Sequence, residues 1–158
     1  MYKRSGQELL LLLAHPGGPL WARKDLGAWS IPKGEYEEGE EPLSAAKLEF
    51  REELGVEPSG EFCELGVLVQ PSKKEITAWA VEGDFPVADL KSNTFELEWP
   101  PKSGRRRQFP EVDRAEWFIP ADARMKILPG QVEFIDRLLA RIGHVEPLQH
   151  GRRADSKA

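Results

Sequence analysis

The segment from Pro42 to Gly55, PLSAAKLEFREELG, narrows the possible folds more than any other part of the chain. Proline is tolerated at a first helical position, Ser44 to Glu53 contains neither glycine nor proline, and Gly55 supplies a stop. The spacing predicts a helix. Glu49, Glu52 and Glu53 then fall at i, i+3 and i+4, within an arc of roughly 100°. Three carboxylates on one face repel one another. Such a face suits a hard divalent cation, which takes oxygen ligands and is commonly held by one or two carboxylates together with substrate phosphates. For an isolated Glu-rich helix the plainer reading is a solvated acidic face.

The flanks change that balance. Gly34 to Val56, GEYEEGEEPLSAAKLEFREELGV, resembles the Nudix box, G-x5-E-x7-R-E-U-x-E-E-x-G-U with U aliphatic or aromatic. Gly34, Glu40, Glu49, Phe50, Glu52, Glu53, Gly55 and Val56 fall in register. Leu48 stands where the pattern has arginine, and Arg51, about 300° further round the helix, does not take its place. Upstream, WSIPKG (29–34) is similar to the strand and turn that lead into the box in diadenosine polyphosphate hydrolases. Downstream, EVDRAEWF (111–118) resembles the late strand whose loop adds one more carboxylate, here Glu111. The likeness spans Glu8 to Leu139, and the nearest look-alikes are bacterial predicted NTP pyrophosphohydrolases.

The resemblance implies a Nudix-type α/β/α sandwich with a mixed β-sheet over residues 1–143, followed by a polar tail, 144–158. It implies hydrolysis of a pyrophosphate bond in a nucleoside triphosphate or diadenosine polyphosphate, with Mg²⁺ or Mn²⁺ as cofactor. Glu52 and Glu53 would be the core metal ligands, Glu49 a further ligand or the base that orients water, and the Lys33 carbonyl a fourth donor. Glu111 would be a late ligand or general base, and Lys33 a phosphate contact. In the family the missing arginine pairs with the neighbouring carboxylates, and its loss is expected to cost on the order of 10 to 100-fold. Two alternatives remain: a catalytically weak nucleotide-binding regulator, favoured by Leu48, and a hydrolase of RNA 5′ ends, which would need a basic groove.

A chain of 158 residues has the size of one domain, and its 40% hydrophobic and 31% charged residues are those of a soluble globular protein. A net charge of −5 argues against general coating of DNA or RNA and leaves a nucleotide substrate open, since local cations reverse the field at a site. Lys3 and Arg4 precede a leucine run, but Glu8 interrupts it and no cleavage site follows, so it reads as a buried strand and not as a signal peptide or membrane span. Cys63 is the only cysteine; no intrachain disulfide can form, and a cytoplasmic location fits. It reads as a core or half-buried filler. A homodimer is compatible with the sequence.

Leu9 to Ala14 is expected as a central strand, with any edge strand before it short or missing. Residues 15–28 read as a loop, 61–70 and 74–81 as a hairpin turning at Pro71 and Ser72, and Thr94 to Trp99 as a strand with one wet face. Pro100 to Glu111 reads as a basic loop whose Arg105, Arg106 and Arg107, with Lys102, either clamp distal phosphates or are solvated; the 83–110 region is a candidate lid. A strand from Arg114, a short helix from Ala121, and an amphipathic helix from Gln131 to Ile142 complete the domain. Trp29 and Trp117 are expected in the core, and Trp21, Trp99 and Tyr36 are candidates to stack on a base. His15 is a candidate for the cleft wall. Glu40 is expected to serve the helix N-terminus, with Glu35, Glu37, Glu38 and Glu41 solvated.

Overall fold

Six apolar residues in a row, Leu9 to Ala14, organise the molecule because they are buried on both faces. In the computed structural model, which describes residues 1–36, 39–70 and 73–144, they lie in strand β2 (Glu8–Pro16). Leu9, Leu11 and Leu13 point into one core, with Ala123, Ile127, Ile135, Leu138 and Leu139. Leu12 and Ala14 point into the other, with Phe50, Leu54, Phe85, Val112 and Ala115. A continuous apolar run, in place of strict alternation, is what a strand covered on both sides requires. The result is the expected α/β/α sandwich.

The first core is covered by helices α2 (Pro120–Lys126) and α3 (Val132–Arg141), the second by α1 (Pro42–Leu54). Strand β1 (Tyr2–Ser5) is the short edge strand, antiparallel to β2, whose opposite edge pairs antiparallel with β7 (Val112–Phe118). The hairpin of β3 (Phe62–Val69) and β4 (Glu75–Val81) joins this sheet through a parallel bridge between Tyr2 and Glu82, which makes the arrangement mixed. Ser30 meets the sheet by an isolated antiparallel bridge to Ala14, while Trp29 makes an isolated parallel bridge to Ile127 at the end of α2. Trp29 is fully buried, with its indole N–H donating to Asp25 at 2.9 Å; Trp117 is half-buried, donating to the Phe85 carbonyl.

Helix α1 begins and ends where its sequence dictates. Pro42 occupies the first turn, and Gly55 takes the left-handed conformation (φ 85°) while its N–H closes on the Arg51 carbonyl. The N-cap is Glu41, not Glu40: its carboxylate accepts from the N–H groups of Leu43 and Ser44 at 3.1 and 2.7 Å. Glu41 is thus exposed but engaged, and its pKa is lowered first by a hydrogen bond with the Ser44 side chain and then by those to the backbone N–H groups of Ser44 and Leu43. Glu35 is likewise exposed and paired, with Lys74.

Two loop expectations need correction. Residues 106–110 are a strand, β6 (Arg106–Pro110), antiparallel to β5 (Thr94–Glu98), because Arg107 and Phe109 find cross-strand partners in Leu97 and Phe95. His15 is in β2 and entirely buried, held between the Asp113 carboxylate at Nδ1 (2.7 Å) and the Lys24 carbonyl at Nε2 (2.8 Å). It fastens the loop after β2 and does not line a cleft. Cys63 is half-buried, with Arg141 Nε 2.9 Å from its sulfur. Among the described residues no helix is long and apolar enough to cross a membrane. The expected tail beyond 144, the turn at Pro71 and Ser72, and the solvation of Glu37 and Glu38 lie outside the described residues.

Candidate active site

A cavity of about 500 Å³ opens between α1, the loop after β2 and the β5–β6 hairpin. One wall is polar: Lys33, Glu49, Glu53 and Glu111. The other is apolar, formed by the loop from Pro16 to Trp21 with Phe95 and Leu97. Among the expected site residues, then, the fold brings together Glu49, Glu53, Lys33 and Glu111 from three separate stretches of chain. Glu52 does not line the cavity; it stands beside Glu49 on the same helix face, close enough for its charge to raise the Glu49 pKa.

A short strap places Glu111 relative to the helix. The N–H of Lys91 donates to the Leu54 carbonyl (3.2 Å) and that of Asn93 to the Glu52 carbonyl (2.8 Å), so the strap is tied to the last turn of α1. The Asn93 carbonyl in turn accepts from the Glu111 N–H (2.9 Å), while the Glu111 carbonyl accepts from the Gly17 N–H (2.9 Å). At Gly17 the chains approach too closely for a side chain: a Cβ there would lie 2.0 Å from the Pro110 carbonyl oxygen.

The turn before α1 is fitted to the carboxylates. Glu53 accepts a hydrogen bond from the Lys33 backbone N–H at 3.1 Å. A Cβ at Gly34 would meet the Glu49 carboxyl carbon at 1.6 Å, so the absence of a side chain there is what makes room for Glu49. Glu53 is 7% exposed, and burial is the main reason its pKa is pushed up to about 7; the charges of Glu49 and Glu111 add to the rise, and Lys33 opposes it. The Glu49 pKa is also raised, by burial first and then by Glu52 and Glu111.

These groups fit a hard cation. All the side-chain donors are oxygen, as Mg²⁺ and Mn²⁺ prefer. The buried Glu53 carboxylate, with a pKa near 7, is only partly compensated by Lys33, and the side-chain-free cradle at Gly34 keeps Glu49 turned towards the cavity. Among the described residues no three His, Cys, Asp or Glu side chains are gathered into a finished coordination shell. Leu48, 42% exposed, borders the outer side of the same acidic surface with Glu35, Glu40 and Glu49.

The arginine cluster divides. Arg107 lies opposite Leu97, and Arg105 opposite Trp99, so both share the hairpin face that presents Phe95 and Leu97 to the cavity. Arg106 lies on the other face and pairs with Glu96 at 2.6 Å. None of the three lines the cavity itself. Of the aromatic candidates, Trp21 lines this cavity, Tyr36 lines a second one across the Lys33–Glu35 turn, and Trp99 lines neither. The apolar wall from Pro16 to Leu20 escapes sequence reasoning, since a Pro- and Gly-rich loop carries no pattern that reveals which way it folds.

A family model for the NUDIX domain matches residues 1–138. No curated protein matches the chain. Among solved structures, the chain is similar to a C. elegans Ap4A hydrolase in a binary complex (TM-score 0.60, 16% identity, covering 90% of this chain and 93% of that one). It is also similar to the NUDIX domain of Shewanella oneidensis NrtR complexed with ADP ribose (TM-score 0.59, 15% identity, 89% and 82%). A third likeness is to the E. coli ORF135 protein (TM-score 0.51, 22% identity, 98% and 90%). At these identities the likeness is one of fold. The family match over nearly the whole chain goes further: this chain belongs to the Nudix family of pyrophosphohydrolases.

Proposed function

We propose that the chain cleaves a pyrophosphate bond of a nucleoside triphosphate or diadenosine polyphosphate, dependent on Mg²⁺ or Mn²⁺, in the cytoplasm. The family gives the reaction class, hydrolysis of nucleotide pyrophosphate bonds. The observation that carries the finer reading is the two-sided cavity, with carboxylates and Lys33 on one wall and Trp21, Leu20, Phe95 and Leu97 on the other. Such a cavity can take a charged phosphate chain and a flat organic group at once. Two of the similar folds belong to proteins described as an Ap4A hydrolase or with ADP ribose bound, which supports a nucleotide ligand.

In this reading Glu52, Glu53 and the Lys33 carbonyl would hold the divalent cation, with whichever of Glu49 and Glu111 does not serve as the base as a further ligand. When bound, it supplies charge neutralisation on the phosphates and lowers the pKa of water. The chain's own groups do the rest. The Lys33 ammonium, beside the acidic wall, contacts phosphate; Glu49 or Glu111 receives the proton of the attacking water; and the Lys33 N–H holds Glu53 in place. Arg105 and Arg107, on the cavity side of the hairpin, would meet a distal phosphate if the hairpin closes as a lid, whereas Arg106 is engaged by Glu96.

The test is phosphate release with added pyrophosphatase, over nucleoside triphosphates, dinucleoside polyphosphates, nucleotide sugars and 5′-triphosphate RNA, beside Glu52→Gln and Glu53→Gln. Turnover of one class, lost in both variants, supports the reading. Metal-dependent binding without turnover of any class would instead favour a regulator in which Leu48 has disabled catalysis. Turnover of RNA alone, weakening steeply with salt, would favour end processing.

A further inference from the structure

The tryptophans are divided between the cores and the cavities. Trp29 is in the first core and Trp21 packs against it, Trp117 packs against the second core, and Trp99 lines neither cavity. Trp79, in β4, belongs to neither core and is only half-buried. It lines a second cavity, of about 310 Å³, across the Lys33–Glu35 turn from the first. Ile31, Ile76 and Tyr36 line this cavity with it, an apolar and aromatic surface of the kind that takes a flat ring. The entirely buried Gln131 braces that surface, its Oε1 accepting from the Ile31 backbone N–H at 3.1 Å.

Position and charge restrict what the second cavity accepts. It shares Lys33, Gly34, Glu35 and Glu49 with the first, so it borders the same carboxylate wall. With Glu49 given to a cation, the rest of its charged lining is balanced, Glu35 and Glu75 against Lys33 and Lys74, and Lys74 is already paired with Glu35. Such a lining has no surplus positive charge for the end of a phosphate chain. Gln70 and Thr77 add uncharged donors and acceptors, which suit ribose hydroxyls and a base edge. The cavity is therefore matched to an uncharged aromatic group with polar edges that arrives attached to phosphates held next door.

Resting on the nucleotide pyrophosphatase reading, we infer that the second cavity is the subsite for an aromatic ring at the far end of the substrate's phosphate chain, with Trp79 as the residue that recognises it. The preferred substrate then carries a base at both ends. One base seats on the apolar wall of the first cavity, the phosphates cross the shared border at Glu49, and the second base stacks on Trp79. Glu53 and Glu111 line the first cavity alone, so the metal-binding carboxylates stand between the two rings. A nucleoside triphosphate leaves the second cavity empty and forgoes that stacking, which is worth on the order of ten-fold in affinity for each base.

The experiment compares kcat/KM for diadenosine tetraphosphate with that for the same molecule lacking one base, adenosine and ribose joined by the same phosphate chain, in the wild type, Trp79→Ala and Trp79→Phe. The wild type is expected to prefer the two-base substrate by on the order of ten-fold, through KM. Trp79→Ala should erase that preference, and Trp79→Phe, which keeps an aromatic face, should retain most of it. Equal use of the two substrates by the wild type overturns the proposal while the hydrolase reading stands. So does an alanine variant that loses both substrates alike and keeps their ratio, since that is what a merely structural Trp79 would give. Turnover of other nucleotides only, with neither of these two used, also overturns the proposal alone, whereas turnover of no nucleotide overturns both readings. Should Trp79→Ala fail to fold, Trp79→Leu, which keeps apolar bulk and removes the ring, makes the same comparison.

Discussion

Replacing Glu53 by glutamine should make the metal-free protein more stable, and the gain should depend on pH. In the folded chain the Glu53 pKa is about 7, mainly because the carboxylate is buried, against 4.5 when unperturbed. Between those values the folded state keeps a proton that the unfolded state has released. Stability therefore falls as pH rises through this window, is greatest below about 4.5 and levels off above 7. The full cost of the charged form is about 3 kcal/mol. A glutamine at this position cannot ionise, yet its side-chain oxygen still accepts from the Lys33 N–H as Glu53 does at 3.1 Å, so the variant mimics the protonated form. In a chain of this size that corresponds to roughly 6 to 12 °C in Tm.

The assay is thermal unfolding of both proteins in chelator at pH 4.5, 6, 7 and 8. The two should unfold together at pH 4.5 and separate progressively to pH 8, with the variant higher. Comparison at each pH cancels the titration of the remaining carboxylates, apart from Glu49, whose raised pKa acts in the same direction. Excess Mg²⁺ or Mn²⁺ at pH 8 should then stabilise the wild type and close the gap, because cation binding favours the ionised carboxylate. A constant difference from pH 4.5 to 8 would refute burial as the dominant influence on Glu53.

Four further outcomes follow from other parts of the structure. Gly34→Ala must displace the Glu49 carboxyl group and is expected to lower kcat on the order of 100-fold while circular dichroism and Tm change little. Leu48→Arg sets a cation beside Glu35, Glu40 and Glu49 and should raise kcat/KM, by up to about ten-fold. Arg107→Ala should raise KM for substrates with long phosphate chains several-fold more than Arg106→Ala, measured by steady-state kinetics across chain lengths, because only Arg107 shares the cavity-side face. Leu12→Ala, in a side chain 1% exposed at the centre of the second core, should cost about 2 to 5 kcal/mol by urea denaturation.

Much of the fold is legible in the sequence because it depends on short-range pattern. Pro42, Gly55 and the uninterrupted run between them set the limits of α1, and the unbroken apolar run in β2 announces burial on both faces. The polar wall is legible for the same reason, since helical spacing alone puts Glu49 and Glu53 on one face. What spacing cannot convey is depth. It gives Glu49, Glu52 and Glu53 equal standing, whereas packing of Phe50 and Leu54 rotates α1 so that Glu53 is buried, Glu49 half-buried and Glu52 set to the flank.

The remaining discrepancies arise where a residue's role is decided by a distant partner. Arg106 and Arg107 are neighbours in sequence, but cross-strand pairing with β5 puts them on opposite faces, so the run of three arginines cannot act as one clamp. His15 reads as a loop residue until Asp113, 98 positions away, and the Lys24 carbonyl give both its ring nitrogens an occupation. Gln131 carries no motif at all, because the meaning of a buried amide lies in which of its atoms is left unpaired, and that is set by the Ile31 N–H 100 positions away. The catalytic class of this chain is thus written locally, in one helix and its preceding turn. The shape of the cavity depends on contacts between the Pro16–Trp21 loop, the β5–β6 hairpin and the Lys33–Glu35 turn, which only the assembled fold brings to the same border.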